Sequence, residues 1–414
     1  MSRDFDVVIV GAGAIGAVAA SLLLTRKLAG AGRVAIVAEH LAPAGAAVPS
    51  DWDLRVFALS RASQRLLQMC GIWQRLPPQR MFPYERMCVW DAGGAPQGPG
   101  SLTFDCAEIG EPNLGFIVDG RALQERCLQA AGGAGAVIIE AGVRAIAMND
   151  TEARIRLNDG RDLSAGLLIA ADGGASKTRE LLGIDVAGHA YHQDALVAHV
   201  RTGKTHLNTA WQRFLATGPL AFLPLPDGRS SIVWSVARAE AARLGGLDAA
   251  AFGGAVAAAS GAALGDVELT TPLARFPLVL QYALDYARPR AVLLGDAAHS
   301  VHPLAGQGLN LGLLDCASLA EVLGAARDPG LLGDYRLLRR YERWRKSENL
   351  LAAAAFDGLE RLFSNADPAA ARLRAAGLDA VGSLPSIKRR FAQRALGLIG
   401  DVPALLKIEG AFGG

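Results

Sequence analysis

The spacing of hydrophobic residues at the start of the chain predicts a β-α-β unit. Residues 6–10 contain four consecutive β-branched apolar side chains and end at a glycine turn, which is typical of a buried parallel strand. The stretch 17–26 is rich in alanine and leucine and predicts a helix. Residues 34–37 predict a second strand, so we expect a right-handed crossover between the two strands.

Similar patterns further along predict additional elements of the same unit. We expect helices over 61–70 and 121–131, and a buried strand over 167–171. Apolar and polar residues alternate over 153–157, and the following Asn158-Asp159-Gly160 is a hairpin turn signal. The segment 153–171 should therefore form a hairpin.

Between about residues 191 and 276 the pattern changes to short strands separated by turns. Three such strands are expected at 197–200, 221–225 and 230–235. A strand over 291–294 returns the chain to the first unit, and the sequence from residue 309 onward is largely helical. We therefore predict a sheet domain inserted between two parts of the first unit.

These elements predict an α/β protein with three parts. The boundaries that we expect are 1–75, 110–182 and 285–350 for a discontinuous nucleotide-binding domain, 76–109 and 183–284 for the sheet domain, and 351–414 for a helical C-terminal region.

Composition narrows the classes of partner and cofactor. Charged residues make up 20% of the 414-residue chain and the net charge is +2, so we expect no nucleic-acid partner. The five cysteines form no C-x-x-C and the histidines lack ligand spacing, so we expect buried, reduced thiols and no metal. No signal peptide and no apolar run of about 18 residues is present, which favours a cytoplasmic protein.

The turn after the first strand has the sequence Gly11-Ala12-Gly13-Ala14-Ile15-Gly16, which matches G-x-G-x-x-G between a strand and a helix. Gly11 allows the tight turn, Gly13 lets a pyrophosphate approach the backbone, and Gly16 lets the helix pack on the strand. The amides at the helix N-terminus can then bind the phosphates. This motif predicts a bound dinucleotide, without deciding between NAD and FAD.

An acidic residue about 20 positions later commonly binds the ribose of such a dinucleotide. Glu39 is the candidate, although Ala38 occupies the position directly after the second strand, where the carboxylate more commonly falls. The alternative is that Glu39 is an ordinary surface glutamate.

A second glycine-rich segment runs from Gly295 to Gly312 with the sequence GDAAHSVHPLAGQGLNLG. Asp296 follows a strand and can accept a hydrogen bond from a sugar hydroxyl, while Gly306 and Gly308 let the backbone approach a flat ring. Gly308-Leu309-Asn310 opens a helix whose first amides can stabilise negative charge. This segment resembles the second flavin-binding signature of FAD-dependent aromatic hydroxylases, in the form found in the ubiquinone-biosynthesis hydroxylases.

Three other segments resemble the same family. Residues 171–179 resemble its DG motif, 53–60 its D-x-R-x-x-A-L-S segment, and 210–225 part of its substrate sheet. The resemblance implies a Rossmann-like FAD-binding domain of the para-hydroxybenzoate hydroxylase type, with an inserted mixed or antiparallel substrate sheet. Together with the glycine turn it implies these cofactor-binding residues: Gly11, Gly13, Ala14, Ile15, Gly16, Glu39, Arg55, Arg121, Asp172, Asp296, Gly306, Gln307, Gly308, Leu309 and Asn310.

The resemblance also implies an activity. NAD(P)H would reduce FAD transiently, O₂ would then give a C4a-hydroperoxyflavin, and the aromatic ring of a polyprenylated phenol would be hydroxylated in ubiquinone biosynthesis. His302 and Pro303 are the candidates next to the ring, whereas His299 is expected to be structural. The alternatives are a related flavoenzyme for another aromatic substrate and a non-catalytic flavoprotein subunit, and other ubiquinone-biosynthesis proteins are possible partners.

The C-terminal region is expected to contain an amphipathic helix. Ile387, Phe391, Ala395 and Leu398 share one face, with Lys388, Arg389, Arg390 and Arg394 elsewhere on the helix. We favour a helix that packs on its own domain. The alternative is a surface for a partner or for peripheral contact with the inner face of a membrane.

Overall fold

The computed structural model describes residues 3–41, 51–300, 307–326, 329–363 and 368–407. The strands are β1 (Phe5–Val10), β2 (Val34–Ala38), β3 (Val56–Leu59), β4 (Met81–Tyr84), β5 (Arg86–Asp91), β6 (Ser101–Asp105), β7 (Gly115–Asp119), β8 (Val137–Glu140), β9 (Val143–Met148), β10 (Ala153–Leu157), β11 (Asp162–Ala170), β12 (Val186–Thr202), β13 (Thr209–Phe214), β14 (Leu220–Pro224), β15 (Ser230–Ala237), β16 (Val267–Leu269), β17 (Ala274–Ala283), β18 (Ala287–Arg288), β19 (Ala291–Leu293) and β20 (His299–Ser300).

The α-helices lie between these strands and after them. They are α1 (Ala14–Thr25), α2 (Arg61–Met69), α3 (Gly120–Gly133), α4 (Lys177–Leu181), α5 (Arg238–Gly245), α6 (Ala249–Ser260), α7 (Gln307–Gly324), α8 (Tyr335–Phe363), α9 (Pro368–Gly382) and α10 (Pro385–Ala395).

The first sheet carries the predicted nucleotide-binding unit. Its strand order is β18-β19-β11-β1-β2-β8, with β10 and β9 joined to β11 as an antiparallel extension. β1 pairs in parallel with both β2 and β11, and Val7, Val8 and Ile9 are fully buried. A parallel strand buried on both faces requires helices above it, and α1, α3, α7 and α8 all contribute to the core on one side. The predicted β-α-β unit is confirmed.

The second sheet has nine strands in the order β20-β17-β12-β15-β14-β13-β5-β6, with β16 beside β12. All of its pairs are antiparallel except β13 with β5, which is parallel. Trp90, Phe222 and Trp234 form a core with Phe252 of α6 on one face of this sheet. The predicted α/β fold with an inserted mixed sheet is confirmed, while the residue boundaries of the domains stay a prediction.

A small antiparallel sheet, β3-β7-β4, lies beside the first unit. Val56 of β3 pairs with Asp119 at the end of β7, just before α3 begins. This pairing brings the start of β3 next to the start of α3, although the two are about 60 residues apart in the sequence. The sequence pattern did not indicate this sheet.

The C-terminal region is helical, as predicted, and part of the apolar face of its basic helix is exposed. On α10, Ile387 is 42% exposed and Phe391 is 57% exposed, whereas the neighbouring Ala392 is buried. α10 still packs on its own domain, as favoured, because Ala392 and Leu396 are buried and the helix contacts α9, while Ile387 and Phe391 remain exposed. Among the described helices, none combines the length and the apolar character needed to cross a lipid bilayer.

Candidate active site

The glycine turn between β1 and α1 depends on the absence of side chains. Gly11 has φ +115°, and a Cβ atom there would lie 2.2 Å from the carbonyl oxygen of Ala171. A Cβ atom on Gly16 would lie 2.0 Å from the carbonyl oxygen of Gly11. Both distances are far below van der Waals contact, so the close approach of α1, β1 and β11 requires glycine at both positions.

Gly13 is different, because a Cβ atom there would have no protein atom within 4 Å. It is the N-cap residue of α1 and supplies no side-chain hydrogen bond to the helix, and the first turn has no acidic residue. The first amides of α1, from Ala14 and Ile15 onward, are therefore available to an outside acceptor. Open space in front of free helix amides fits a diphosphate.

A cavity of about 470 Å³ opens in front of this turn, at the carboxyl ends of β1, β2 and β11. Gly11, Gly13, Glu39, Asp172 and Lys177 are among the residues that line it. The structure thus brings Glu39 to the glycine turn and leaves its side chain exposed. This position is compatible with a ribose ligand, and the ribose role stays a prediction.

Asp172 organises the segment that follows β11. Its carboxylate accepts hydrogen bonds from the Ser176 hydroxyl and from the Thr178 amide, the latter at 3.0 Å. The buried Arg179 then donates to the Ala297 carbonyl at 3.0 Å and to the Gly174 carbonyl at 3.1 Å. Arg179 therefore ties the segment after β11 to the second glycine-rich segment, a role that the sequence did not reveal.

The second glycine-rich segment begins where β19 ends, and it packs against α1. Ile15 lies between Gly295 and Gly312, and a Cβ atom on Gly312 would lie 2.8 Å from Ile15 Cδ1. The Ile15 side chain is thus a packing contact, which leaves its amide for the cofactor. Asp296 is exposed just after β19, as expected for a sugar ligand, and its side chain makes no hydrogen bond to another described residue. Gly306, His302 and Pro303 lie outside the described residues.

α7 begins at Gln307, so Gly308 and Leu309 lie in its first turn, as predicted. Asn310 is 3% exposed and its side chain is committed within the protein. Its Oδ1 accepts from the Ser60 amide at 2.9 Å and from the Ser63 hydroxyl at 2.6 Å, and its Nδ2 donates to the Ala58 carbonyl at 2.9 Å. Asn310 therefore fixes α7 against β3 and α2, and its side chain is not available to a cofactor.

Arg55 and Arg121 come together although they are distant in the sequence. The Gly120 amide donates to the Arg55 carbonyl at 2.9 Å, directly before Arg121. Both arginine side chains are exposed, and the Arg55 guanidinium lies 5.2 Å from the ring centroid of Phe57. The structure thus brings the backbone of Arg55 next to the residue before Arg121, while the contact of both arginines with the cofactor stays a prediction.

A buried network lies behind the second glycine-rich segment. Asp315 Oδ2 lies 2.6 Å from His299 Nε2 and accepts a hydrogen bond from the Gly295 amide at 3.1 Å. Asp315 Oδ1 accepts from Arg345 Nε at 2.8 Å and from Asn349 Nδ2 at 3.1 Å. Burial raises the pKa of the Asp315 carboxyl, but His299 and Arg345 outweigh burial and hold this pKa at about 2. The network supports the structural role expected of His299.

Sequence reasoning missed Asp315, Arg345 and Asn349. They lie on the interior of α7 and α8, in segments whose sequence shows no motif of its own. A polar or charged residue at an otherwise apolar helix position is the signal that could have revealed them.

A second cavity, of about 680 Å³, lies between the nine-stranded sheet and the C-terminal helices. Its inner end includes Ser60, Gln307 and Asn310, beside the start of α7. Most of its wall is apolar, with side chains from both layers, including Met87, Val89, Leu102, Phe104, Phe214, Leu314, Phe356 and Phe363.

No three His, Cys, Asp or Glu side chains in the described part of the chain are clustered closely enough to hold a metal ion.

Comparisons with known proteins agree with this geometry. A model of the FAD binding domain family matches residues 132–349, which is more than half of the chain. The chain is 35% identical over 402 residues to 3-demethoxyubiquinol 3-hydroxylase of Escherichia coli strain K12, covering 96% of this chain and all of the relative. It is 36% identical to the ubiquinone hydroxylase UbiL of Rhodospirillum rubrum, covering 95% and 90% of the two chains.

The fold has close counterparts among solved structures. The crystal structure of p-nitrophenol 4-monooxygenase PnpA from Pseudomonas putida superposes with a TM-score of 0.75 over 96% of this chain and 99% of that chain, at 18% identity. This likeness supports the fold, and the sequence relatives support the family. The chain therefore belongs to the ubiquinone-biosynthesis hydroxylase family of FAD-dependent aromatic monooxygenases.

Proposed function

We propose that the protein hydroxylates the aromatic ring of a polyprenylated phenol in ubiquinone biosynthesis, with FAD as cofactor, NAD(P)H as transient reductant and O₂ as co-substrate. The names of the two relatives, a demethoxyubiquinol hydroxylase and a ubiquinone hydroxylase, support this substrate class. The observation that carries the proposal is the long apolar cavity, which starts beside the α7 N-terminus and runs along α8.

Bound FAD supplies the oxygen chemistry, and the chain supplies position and exclusion of water. The glycine turn binds the diphosphate through the α1 amides, and the first turn of α7 presents free amides to the edge of the ring. The apolar cavity wall excludes water from the reacting atoms. The same wall accommodates an isoprenoid tail, since burial of apolar surface is favourable by roughly 25 cal/mol per Å².

Gln212 is our candidate for holding the phenol hydroxyl. It lies on β13 between Ala210 and Phe214, and all three residues line the cavity. Gln212 is only 5% exposed, and its amide makes no hydrogen bond to another described residue. A buried polar group in a mostly apolar wall is the arrangement that orients a ligand.

The proposal is tested first in cells. A strain that lacks the protein should accumulate an under-hydroxylated quinone precursor, detected by mass spectrometry of lipid extracts. Normal quinone in such cells would contradict the proposal. The purified protein with FAD should also oxidise NAD(P)H faster when a short-tailed phenol is added, and no stimulation by any phenol would favour a non-catalytic subunit.

Two variants then separate binding of the ring from binding of the tail. Gln212→Leu should lower kcat/KM by about ten- to hundred-fold, because a buried hydroxyl loses its partner. Ala352→Phe narrows the cavity along α8 and should raise KM for a long-tailed phenol only. Equal kinetics of Gln212→Leu and the parent would refute the role of Gln212, and equal effects of Ala352→Phe on short and long tails would refute the tail channel.

A further inference from the structure

α10 has an apolar stripe that no described part of the chain covers. Leu384, Ile387 and Phe391 are 46%, 42% and 57% exposed, respectively. Their spacing of three and four residues places them on one side of the helix. Exposed large apolar side chains are common singly, but a continuous stripe indicates an interaction surface.

α8 presents a second apolar stripe. Leu351, Leu359 and Leu362 are 55%, 41% and 43% exposed, again at helical spacing. We refer to these six residues, Leu351, Leu359, Leu362, Leu384, Ile387 and Phe391, as the α8–α10 surface.

The α8–α10 surface borders the entrance to the apolar cavity. Leu351, Leu359 and Phe391 are exposed to solvent and also line that cavity. A side chain can do both only where the cavity opens. The cavity therefore opens at the α8–α10 surface and ends beside α7.

The charge on this part of the protein is positive. α10 contains Lys388, Arg389, Arg390 and Arg394, and it has no acidic residue. Lys388 pairs with Glu108 and Arg394 with Glu348, whereas Arg389 and Arg390 are exposed and pair with no other described residue. At about 100° per residue, Arg390 lies at the edge of the apolar stripe and Arg389 on the opposite side of α10. One uncompensated cation at the edge of a stripe of exposed leucine, isoleucine and phenylalanine, on a helix of net positive charge, matches the interface of a bilayer that contains anionic lipids.

We propose that the α8–α10 surface binds an anionic membrane and holds the mouth of the cavity against the bilayer. Leu384, Ile387 and Phe391 insert between the headgroups, and Arg390 at the edge of the stripe binds a lipid phosphate. An isoprenoid tail dissolved in the membrane then enters the cavity without passing through water. The entry of a tail rests on the proposed function, whereas the binding of lipid does not.

Vesicle sedimentation of the purified full-length protein tests the binding. The protein should sediment with vesicles of phosphatidylcholine mixed with phosphatidylglycerol, and less with phosphatidylcholine alone. Added salt should release it, because screening weakens the attraction between arginine and lipid phosphate. Absence of binding to both kinds of vesicle would overturn the proposal. Binding only to membranes that retain their proteins would also overturn it, in favour of a protein partner.

Matched variants test which residues carry the binding. Arg390→Gln should weaken the binding by roughly five-fold, since one arginine near an anionic surface contributes about 1 kcal/mol. Phe391→Gln should weaken it by roughly ten-fold. The control for charge is Arg26→Gln, where the arginine is also exposed, and the control for apolar exposure is Phe276→Gln, where the phenylalanine on β17 is 47% exposed. Equal losses in variants and controls would overturn the assignment of the surface.

Kinetics separate this inference from the proposed function. Ile387 belongs to the α8–α10 surface and does not line the cavity, so Ile387→Gln should reduce turnover of a long-tailed phenol in vesicles and leave turnover of a soluble, short-tailed phenol unchanged. Equal loss on both substrates would overturn the delivery role of the surface. If the parent protein hydroxylates no phenol and still binds vesicles through Phe391, the proposed function fails and the membrane surface stands.

Discussion

Replacing Asp315 by asparagine removes one negative charge from the interior and keeps the shape of the side chain. Asp315 is fully buried, and its carboxylate contacts four donors. An asparagine has only one acceptor oxygen. Its NH₂ group would therefore face either Arg345 and Asn349 or Gly295 and His299, and in both cases a donor would meet donors. The substitution therefore breaks hydrogen bonds and leaves the buried Arg345 cation without a counter-charge.

The magnitude follows from two arguments. The asparagine side chain resembles the protonated, uncharged form of Asp315. Lowering the pKa of Asp315 from 3.8 to about 2 means that the folded protein favours the ionised form over the protonated form by about 2 kcal/mol. Removing one partner of a buried ion pair typically costs about 3–5 kcal/mol. We therefore expect Asp315→Asn to lower the free energy of unfolding by about 2–5 kcal/mol. FAD retention should fall as well, because the carboxylate positions the Gly295 amide.

Urea and thermal unfolding, followed by circular dichroism, measure this loss. The matched control is Asp162→Asn, which removes a carboxylate from an exposed ion pair with Arg156 at 2.8 Å. Exposed pairs contribute little to stability, so the control should unfold at the same urea concentration as the parent. If both variants unfold together, the buried network does not stabilise the protein and the reasoning fails.

The same carboxylate predicts a dependence of stability on pH. Its pKa in the folded protein is below the ordinary value, so the unfolded chain binds the proton more tightly. The contribution of Asp315 is complete above about pH 4 and is lost as the pH falls towards about 2. The difference in unfolding free energy between the parent and Asp315→Asn should shrink over that window, and a constant difference would contradict the assigned pKa.

Three further predictions follow from other contacts. Gly13→Ala should fold normally and weaken FAD binding by at least about ten-fold, because its methyl group would occupy the open space at the α1 N-terminus. Gly16→Ala should instead destabilise the fold. Flavin fluorescence titration measures the first effect and thermal unfolding the second, and unchanged FAD affinity in Gly13→Ala would be inconsistent with the diphosphate site. Asn310→Ala should lower the free energy of unfolding by about 1–3 kcal/mol, because it leaves the buried Ser60 amide without a partner; urea unfolding measures this, and no change would remove the link between α7 and β3. Burial raises the pKa of Cys70 to about 12, so iodoacetamide should label this thiol only after unfolding, and rapid labelling of native protein would show that it is accessible.

Local chemistry explains why much of the nucleotide-binding unit could be predicted. The strand patterns around β1, β2 and β11 reflect burial on both faces, and the predicted burial of all five cysteines is confirmed. The glycine turn is a local requirement as well, since Gly11 and Gly16 occupy positions where any side chain would collide with backbone. Such constraints act between residues that are close in sequence or common to a motif, so they are visible without coordinates.

The sequence by itself thus determined the family, the cofactor and the segments that approach it. Only the tertiary structure decided that the Asn310 side chain binds β3 and α2, that Asp315 joins Gly295 and His299 to Arg345, and that the face of α10 is exposed. The physical reason is that a buried polar group takes its partners from whichever elements pack around it. Those partners lie on separate helices and strands, and no periodicity or motif records which elements will meet.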